Sequence, residues 1–175
     1  MRVKQLILYS ILTIFVIAYY QAPALAAGST AKAGLVQAQA SAKKWKSDAT
    51  LVQLLTFTGN TDGTADKWTY VFHSPEAKRG YNVYVSDGKV VQALDVSASF
   101  TDSVSSDFID SAEAIAEAKK KGLKVKGKAM MMLHIMLQGT KNEGEYWNIL
   151  GDMTEENSMI IDAKTGKFYM QQKFQ

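Results

Sequence analysis

The sequence contains two long apolar stretches with the same outline, Ala49-Thr-Leu-Val-Gln-Leu-Leu-Thr-Phe-Thr-Gly59 and Ala129-Met-Met-Met-Leu-His-Ile-Met-Leu-Gln-Gly139. Each runs from an alanine to a glycine, and the second begins 80 residues after the first. Apolar runs of this length, bounded by glycine, are typical of central strands in a sheet. Two such strands at a fixed spacing indicate that one structural unit is encoded twice.

Other landmarks repeat at nearly the same spacing. Trp68 and Trp147 lie 79 residues apart, and the turn Asp87-Gly88-Lys89 precedes Thr165-Gly166-Lys167 by 78 residues. Residue identity between the halves is low. The order and spacing of the landmarks therefore predict a tandem duplication, and the residues between them are expected to differ.

Each half is predicted to contain one helix followed by an antiparallel meander. In the second half, Asp110 stands three residues before Glu113, the spacing of a capping box. In the first half, Ser29 or Thr30 is expected to cap a helix that ends near Trp45. The predicted strands cover residues 51–58, 67–72, 81–85, 90–94, 130–138, 145–150, 159–161 and 168–172. The expected fold class is α+β, with two tandem α-β-β-β-β units and each helix packed on a four-stranded meander.

The N-terminus resembles a secretory signal peptide. Arg2 and Lys4 precede an apolar run over residues 6–18, and Ala24-Leu25-Ala26 supplies the small residues of a cleavage site. The alternative is an uncleaved membrane anchor, although the run is short for a spanning helix. We expect a periplasmic or secreted protein with no membrane association after cleavage, since no cysteine exists to carry a lipid. The predicted divisions are a signal peptide at 1–26, a first unit at 27–96, a linker at 97–107 and a second unit at 108–175.

Charge and motif content exclude several classes of function. The net charge of +3 falls to +1 after cleavage, because Arg2 and Lys4 are removed and no acidic residue is. A nearly neutral protein is a poor candidate for nucleic-acid binding. The sequence has no cysteine nucleophile, zinc-binding His-Glu-x-x-His, Gly-x-Ser-x-Gly elbow or phosphate-binding loop. We therefore predict a non-enzymatic protein without a cofactor, with carboxylate-only catalysis as the one alternative.

The second apolar stretch has an unusual composition. Alternate residues of a strand share a face, which places one set of side chains together: Met130, Met132, His134 and Met136. Thioethers and an imidazole are the ligands that suit copper(I). The alternative is that methionine fills gaps where this face packs against the other half or a second subunit.

Three aromatic residues are candidates for a binding surface. Trp68, Tyr70 and Trp147 are predicted to lie on strands. If they line a groove between the halves, they would hold a peptide, because aromatic anchors concentrate binding energy. The alternative is that they belong to the core.

The second half resembles a PepSY domain. The resemblance rests on the helix start Asp110-Ser-Ala-Glu-Ala114, on Tyr146-Trp-Asn-Ile149 and on the hairpin Ile160-Ile-Asp-Ala-Lys-Thr-Gly-Lys167, and it covers about Phe108 to Phe174. The first half is similar to a degenerate copy, with Val85-Ser-Asp-Gly88 in place of the hairpin motif.

That resemblance implies a helix packed on an antiparallel sheet in an extracytoplasmic protein. The family is similar to propeptide segments of secreted thermolysin-type metalloproteases, which restrain or chaperone a peptidase, and it has no established catalytic residues. We therefore expect an exported protein- or peptide-binding module that modulates an envelope or secreted peptidase, with strand addition at a sheet edge as the mode of recognition. The alternative is a copper(I) or small-ligand binding protein that uses the methionine face. The oligomeric state stays open.

Overall fold

The computed structural model describes residues 28–151 and 157–173, which form two helices and eight strands. The predicted signal peptide at 1–26 lies outside the described residues. In chain order the elements are α1 (Leu35–Trp45), β1 (Thr50–Gly59), β2 (Trp68–Ser74), β3 (Arg79–Ser86), β4 (Lys89–Ser97), α2 (Ser111–Lys120), β5 (Ala129–Met136), β6 (Gly144–Leu150), β7 (Asn157–Asp162) and β8 (Phe168–Lys173).

All eight strands belong to one antiparallel sheet with the order β4-β3-β2-β1-β5-β6-β7-β8. The two apolar stretches form β1 and β5, which pair with each other at the centre, with Leu54 opposite Leu133. The predicted α+β class is confirmed. The strands continue from one half of the chain into the other without a break in the sheet.

The sheet has one buried face because its strands alternate apolar and polar side chains. On β2, Trp68, Tyr70 and Phe72 are buried, whereas Thr69 and Val71 between them are half-buried. The buried face is covered by helices: α1 contacts β2, β3 and β4, and α2 contacts β6 and β7. The opposite face, which carries Thr69 and Val71, is called the open face below.

The two helices begin in different ways. The predicted capping box of α2 is confirmed, since the Asp110 side chain caps the backbone of the first turn and the Glu113 side chain reaches back to the Asp110 N–H. Helix α1 begins later than expected, after Gly34, and has no side-chain cap. The reason is that Ser29 forms an isolated bridge with Ala65 and is therefore used as a strand residue.

Contacts between the halves join them in one hydrophobic core. The N–H of Ala31, before α1, donates to Ser111 Oγ at the start of α2 over 3.0 Å. The rings of Trp68 and Trp147 meet edge to face, with centroids 6.3 Å apart. The predicted linker also contributes, because Val104 is buried in this core. Each large side chain buried in this way stabilises the fold by about 1.5–3 kcal/mol.

Candidate functional site

The three aromatic residues predicted to bind a ligand are core residues. Trp68, Tyr70 and Trp147 are each 0% exposed. Their polar hydrogens are donated to backbone carbonyls: Trp68 Nε1 to Ser29 over 2.7 Å, Tyr70 Oη to Ala31 over 2.6 Å and Trp147 Nε1 to Ile109 over 3.0 Å. Burial also raises the pKa of the Tyr70 hydroxyl. The predicted binding surface is therefore wrong, because α1 and α2 cover the face to which these side chains point.

The methionine strand divides as the alternation predicts. Met131 and Leu133 are fully buried on the face beneath the helices. The proposed ligand set lies on the open face and is half-buried: Met130, Met132, His134 and Met136.

His134 lies in an apolar and aromatic environment. Its cross-strand neighbours are Gln53 on β1 and Tyr146 on β6. The ring of Phe100 meets the imidazole edge to face, with centroids 6.4 Å apart. Burial lowers the pKa of the imidazole. Among the described residues, no hydrogen-bond partner reaches the buried Nε2 atom of His134.

A groove of about 620 Å³ lies on the open face of the first half. Its apolar lining includes Leu55, Phe57, Val71, Tyr84, Val96 and Phe100. Phe57 is 53% exposed, which is unusual for a phenylalanine on a central strand. The ammonium group of Lys67, on the groove wall, lies 5.6 Å from the centroid of the Tyr84 ring. The groove thus combines apolar surface with one cation.

Strand β4 borders this groove and forms one edge of the sheet. It pairs with β3 on one side, and among the described residues no strand pairs with its outer side. Val91 is 59% exposed and Leu94 is 41% exposed. An exposed edge with apolar side chains presents unpaired N–H and C=O groups to a further strand. We call this feature the β4 edge.

The β4 edge is held in place by a polar cluster at its end. Asp95 accepts hydrogen bonds from Arg79 Nε over 2.9 Å and from Trp45 Nε1 over 3.1 Å. The hydrogen bond from Arg79, followed by that from Trp45, lowers the pKa of the Asp95 carboxyl. The Trp45 ring also stacks on Tyr81, with centroids 4.7 Å apart. These contacts join α1, β3 and β4, so the edge strand has a fixed position.

The opposite edge is formed by β8, which is shorter. Tyr169 and Met170 are exposed there, and Lys173 ends the strand. Strand β8 has six residues and β4 has nine, so β4 offers more backbone groups to an added strand. The β4 edge is therefore the better candidate for strand addition.

Sequence reasoning predicted a strand over residues 90–94 and recognition at a sheet edge, but it did not predict which edge or the groove beside it. The sequence feature that could have identified Phe100 as a groove residue is its position as an isolated aromatic residue within a serine-rich segment. The signal for β4 was the run Val90-Val91 followed by Leu94, which lacks the alternation of a strand with one buried face.

Two other features are absent from residues 28–151 and 157–173. None of the helices there has the length and apolar character needed to cross a membrane. That part of the chain also brings no three His, Cys, Asp or Glu residues together in a group suited to a metal ion.

The fold and the site define an α+β protein with a single antiparallel sheet. Helices cover one face of this sheet, a groove lies on the opposite face, and β4 forms an edge that no described strand covers. A crystal structure of a "putative lipoprotein" from Clostridium difficile 630 is similar, with a TM-score of 0.53 and 15% sequence identity. The match covers 81% of this chain and 93% of that one. At this identity the likeness shows the fold alone. No family model and no curated protein matches the sequence.

That structure also bears on the expected location. Lipoproteins are held at a membrane by their lipid, whereas we expected a chain free in the periplasm or secreted, without a lipid anchor. The description of that protein as a lipoprotein contradicts this expectation, which is withdrawn. The sequence itself has no cysteine.

Proposed function

We propose that this chain is a non-enzymatic peptide-binding module that takes an extended peptide as an additional strand on the β4 edge. The observation that carries the proposal is the outer side of β4, a nine-residue strand with exposed apolar side chains, with which no described strand pairs. Strand addition uses backbone hydrogen bonds for affinity and side-chain pockets for specificity.

The groove defines the peptide that would suit this edge. Alternate side chains of an added strand point to the same face of the sheet. On the open face they would extend the apolar surface of Leu94 and Val96, beside the groove. A peptide with apolar residues at alternate positions therefore fits best. Each backbone hydrogen bond gained contributes about 0.5–1.5 kcal/mol.

We also infer that the chain consists of two tandem units, residues 27–96 and 108–175, joined at 97–107. Trp68 and Trp147 support this inference, because each donates its indole N–H to a carbonyl that precedes the helix of its own half. The PepSY resemblance of the second half suggests a peptidase as the partner that supplies the peptide.

Peptide selection followed by point mutation tests the proposed function. Peptides are selected from a random library on the intact protein, and their dissociation constants are measured by fluorescence anisotropy. Leu94→Lys introduces a charge at the β4 edge and is expected to weaken binding about tenfold or more, equivalent to about 1.4 kcal/mol. Tyr169→Lys is the matched control, since Tyr169 is exposed to a similar degree on the opposite edge. Equal affinity in the Leu94→Lys variant would refute the proposal.

A further inference from the structure

We propose that His134, Met132 and Met136 form a copper(I) site on the open face of β5. This site is separate from the β4 edge and does not depend on the proposed function. The observation that carries it is the buried Nε2 atom of His134, which has no hydrogen-bond partner among the described residues. Buried polar atoms ordinarily have partners. Five other side-chain atoms of the described residues also lack one, including Nδ1 of His73, but only His134 is flanked by methionines on its strand face.

Four side chains of the proposed ligand set lie on the open face of β5, and the geometry of a strand favours these three. Residues two apart on a strand are separated by about 7 Å, because the rise is about 3.3 Å per residue. Met132 and Met136 are therefore the two flanking neighbours of His134 on the open face. A methionine side chain has three rotatable bonds, which allows its sulfur to reach the neighbouring imidazole. Met130 lies about 13 Å away along the strand, too far to share the same ion.

Residues of the neighbouring strands contact or face the two methionines. Gln53 stands opposite His134, and its Nε2 atom donates to Met132 Sδ over 3.1 Å. This contact joins the Met132 sulfur to the side chain of the residue that stands opposite His134. On the other side, Met136 stands opposite Gly144, where a β-carbon would lie 3.3 Å from the Tyr146 ring, so that ring lines the space beside Gly144.

The ligands have the chemistry that copper(I) prefers. An imidazole and two thioethers are neutral, soft donors, and thioethers select copper(I) over hard divalent cations. A neutral imidazole keeps a free electron pair on one ring nitrogen, which is the form that binds a metal. The other groups that face the ring are Gln53, Tyr146 and Phe100. None of these three is a carboxylate, the ligand type that calcium and magnesium require.

The test is an anaerobic titration of the full chain with copper(I) against a chromogenic copper(I) chelator. We expect one copper ion to be retained per chain. His134→Gln and the double variant Met132→Leu/Met136→Leu are expected to weaken binding about tenfold or more. Met130→Leu is the matched control and is expected to bind as the wild type does. The site would be overturned if Met130→Leu lost as much copper affinity as the double variant does. It would also be overturned if the wild type failed to retain copper.

Nuclear magnetic resonance supplies a second readout that does not depend on how well the variants fold. The chain has two histidines, His73 and His134, so each imidazole signal is assignable. Copper(I) is expected to shift the Nε2 resonance of His134 and to leave the ring nitrogens of His73 unchanged. A shift at His73 alone would refute the assignment. Leu94→Lys is expected to leave copper affinity unchanged, which separates this site from the β4 edge.

Discussion

At the scale of single residues, the two tryptophans Trp68 and Trp147 have equivalent roles in the core. Each is fully buried, each donates its indole N–H to a backbone carbonyl, and the rings touch each other. A buried ring with a satisfied polar atom contributes both packing and a hydrogen bond. Their conformations are therefore fixed by the core, and their role is structural.

Replacing either tryptophan should destabilise the fold by a similar amount. Trp68→Phe and Trp147→Phe each leave a cavity and remove one donor to a backbone carbonyl, so we expect the free energy of unfolding to fall by about 2–4 kcal/mol. Urea denaturation measures this loss. Trp45→Phe serves as the control and should cost less, because Trp45 is half-exposed. A loss in Trp68→Phe no larger than in Trp45→Phe would contradict the assigned role.

His134 should make stability depend on pH. Burial lowers the pKa of the imidazole below its ordinary value of 6.5, so the unfolded chain binds the proton more readily than the folded protein. The free energy of unfolding should therefore fall as the pH drops below about 6.5 toward the folded pKa. Urea denaturation in the presence of a copper chelator, at about pH 7.5 and about pH 5, measures this loss.

The variant His134→Gln isolates the contribution of this histidine. It should lose less stability than the wild type over the same pH interval, because glutamine does not titrate. The carboxyls of Asp48, Asp62 and Asp95 do not interfere, since their pKa values are lowered below 3.8 and they titrate at lower pH. An equal loss in both proteins would show that His134 is not the group responsible.

The sequence predicted which side chains share a face of a strand. It did not predict which face of the sheet the helices cover. Alternation correctly groups Trp68, Tyr70 and Phe72 on one side of β2. It does not tell which side the helices cover, because Val71 on the other side is also apolar. The buried aromatic residues were for this reason predicted as a surface, whereas Phe57 and Phe100 of the groove were missed.

At the scale of elements, the start of each helix depends on a different kind of interaction. Helix α2 is capped by Asp110 from within its own segment. Helix α1 begins after Gly34, where a β-carbon would lie 2.6 Å from Val85 Cγ1 and 2.8 Å from the Tyr70 hydroxyl. No capping side chain fits there, and the segment is held instead by hydrogen bonds to the start of α2.

Loss of the α2 cap should affect both helices. Asp110→Ala removes the capping carboxylate and also the acceptor for the N–H of Lys32, 3.1 Å away. We expect the free energy of unfolding to fall by about 1–2 kcal/mol, measured by thermal or urea denaturation. Glu113→Gln is the control, because glutamine preserves the capping box. Equal stability of the Asp110→Ala variant and the wild type would refute the cap.

Element prediction succeeded where the signal is local. The spacing of Asp110 and Glu113 identified the start of α2 correctly. The start of α1 was placed too early, because Ser29 is a good capping residue by type but pairs with the distant Ala65. A pairing partner 36 residues away cannot be inferred from the residues next to Ser29 in the sequence.

At the scale of the whole molecule, the pairing of β1 with β5 makes one sheet from both halves of the chain. Leu54 and Leu133 stand opposite each other at this central pairing, and both are fully buried. The core runs beneath both helices without interruption. Neither half therefore has a complete core of its own.

This architecture predicts a single cooperative unfolding transition. Urea curves followed by tryptophan fluorescence and by far-ultraviolet circular dichroism should coincide, because the halves share buried surface and backbone pairing. Two separated transitions, or curves that do not overlay, would show that the halves fold independently.

The repeat in the sequence predicted both central strands but not how they associate. The spacing of Ala49–Gly59 and Ala129–Gly139 identified each strand from local composition. Their pairing joins residues 79 positions apart, such as Leu54 and Leu133. Whether such strands pair with each other or face separate partners is decided by tertiary contacts. The free β4 edge follows from this arrangement, since it leaves β4 and β8 at the two ends of the sheet.

Backbone hydrogen exchange on the intact protein tests the central claim most directly. Exchange is measured by nuclear magnetic resonance with and without a peptide selected on the protein. If the peptide adds as a strand, the outward-facing amides of β4 should become protected while those of β8 exchange as before. Protection confined to β8, or a bound peptide that protects no amide of β4, would contradict the account.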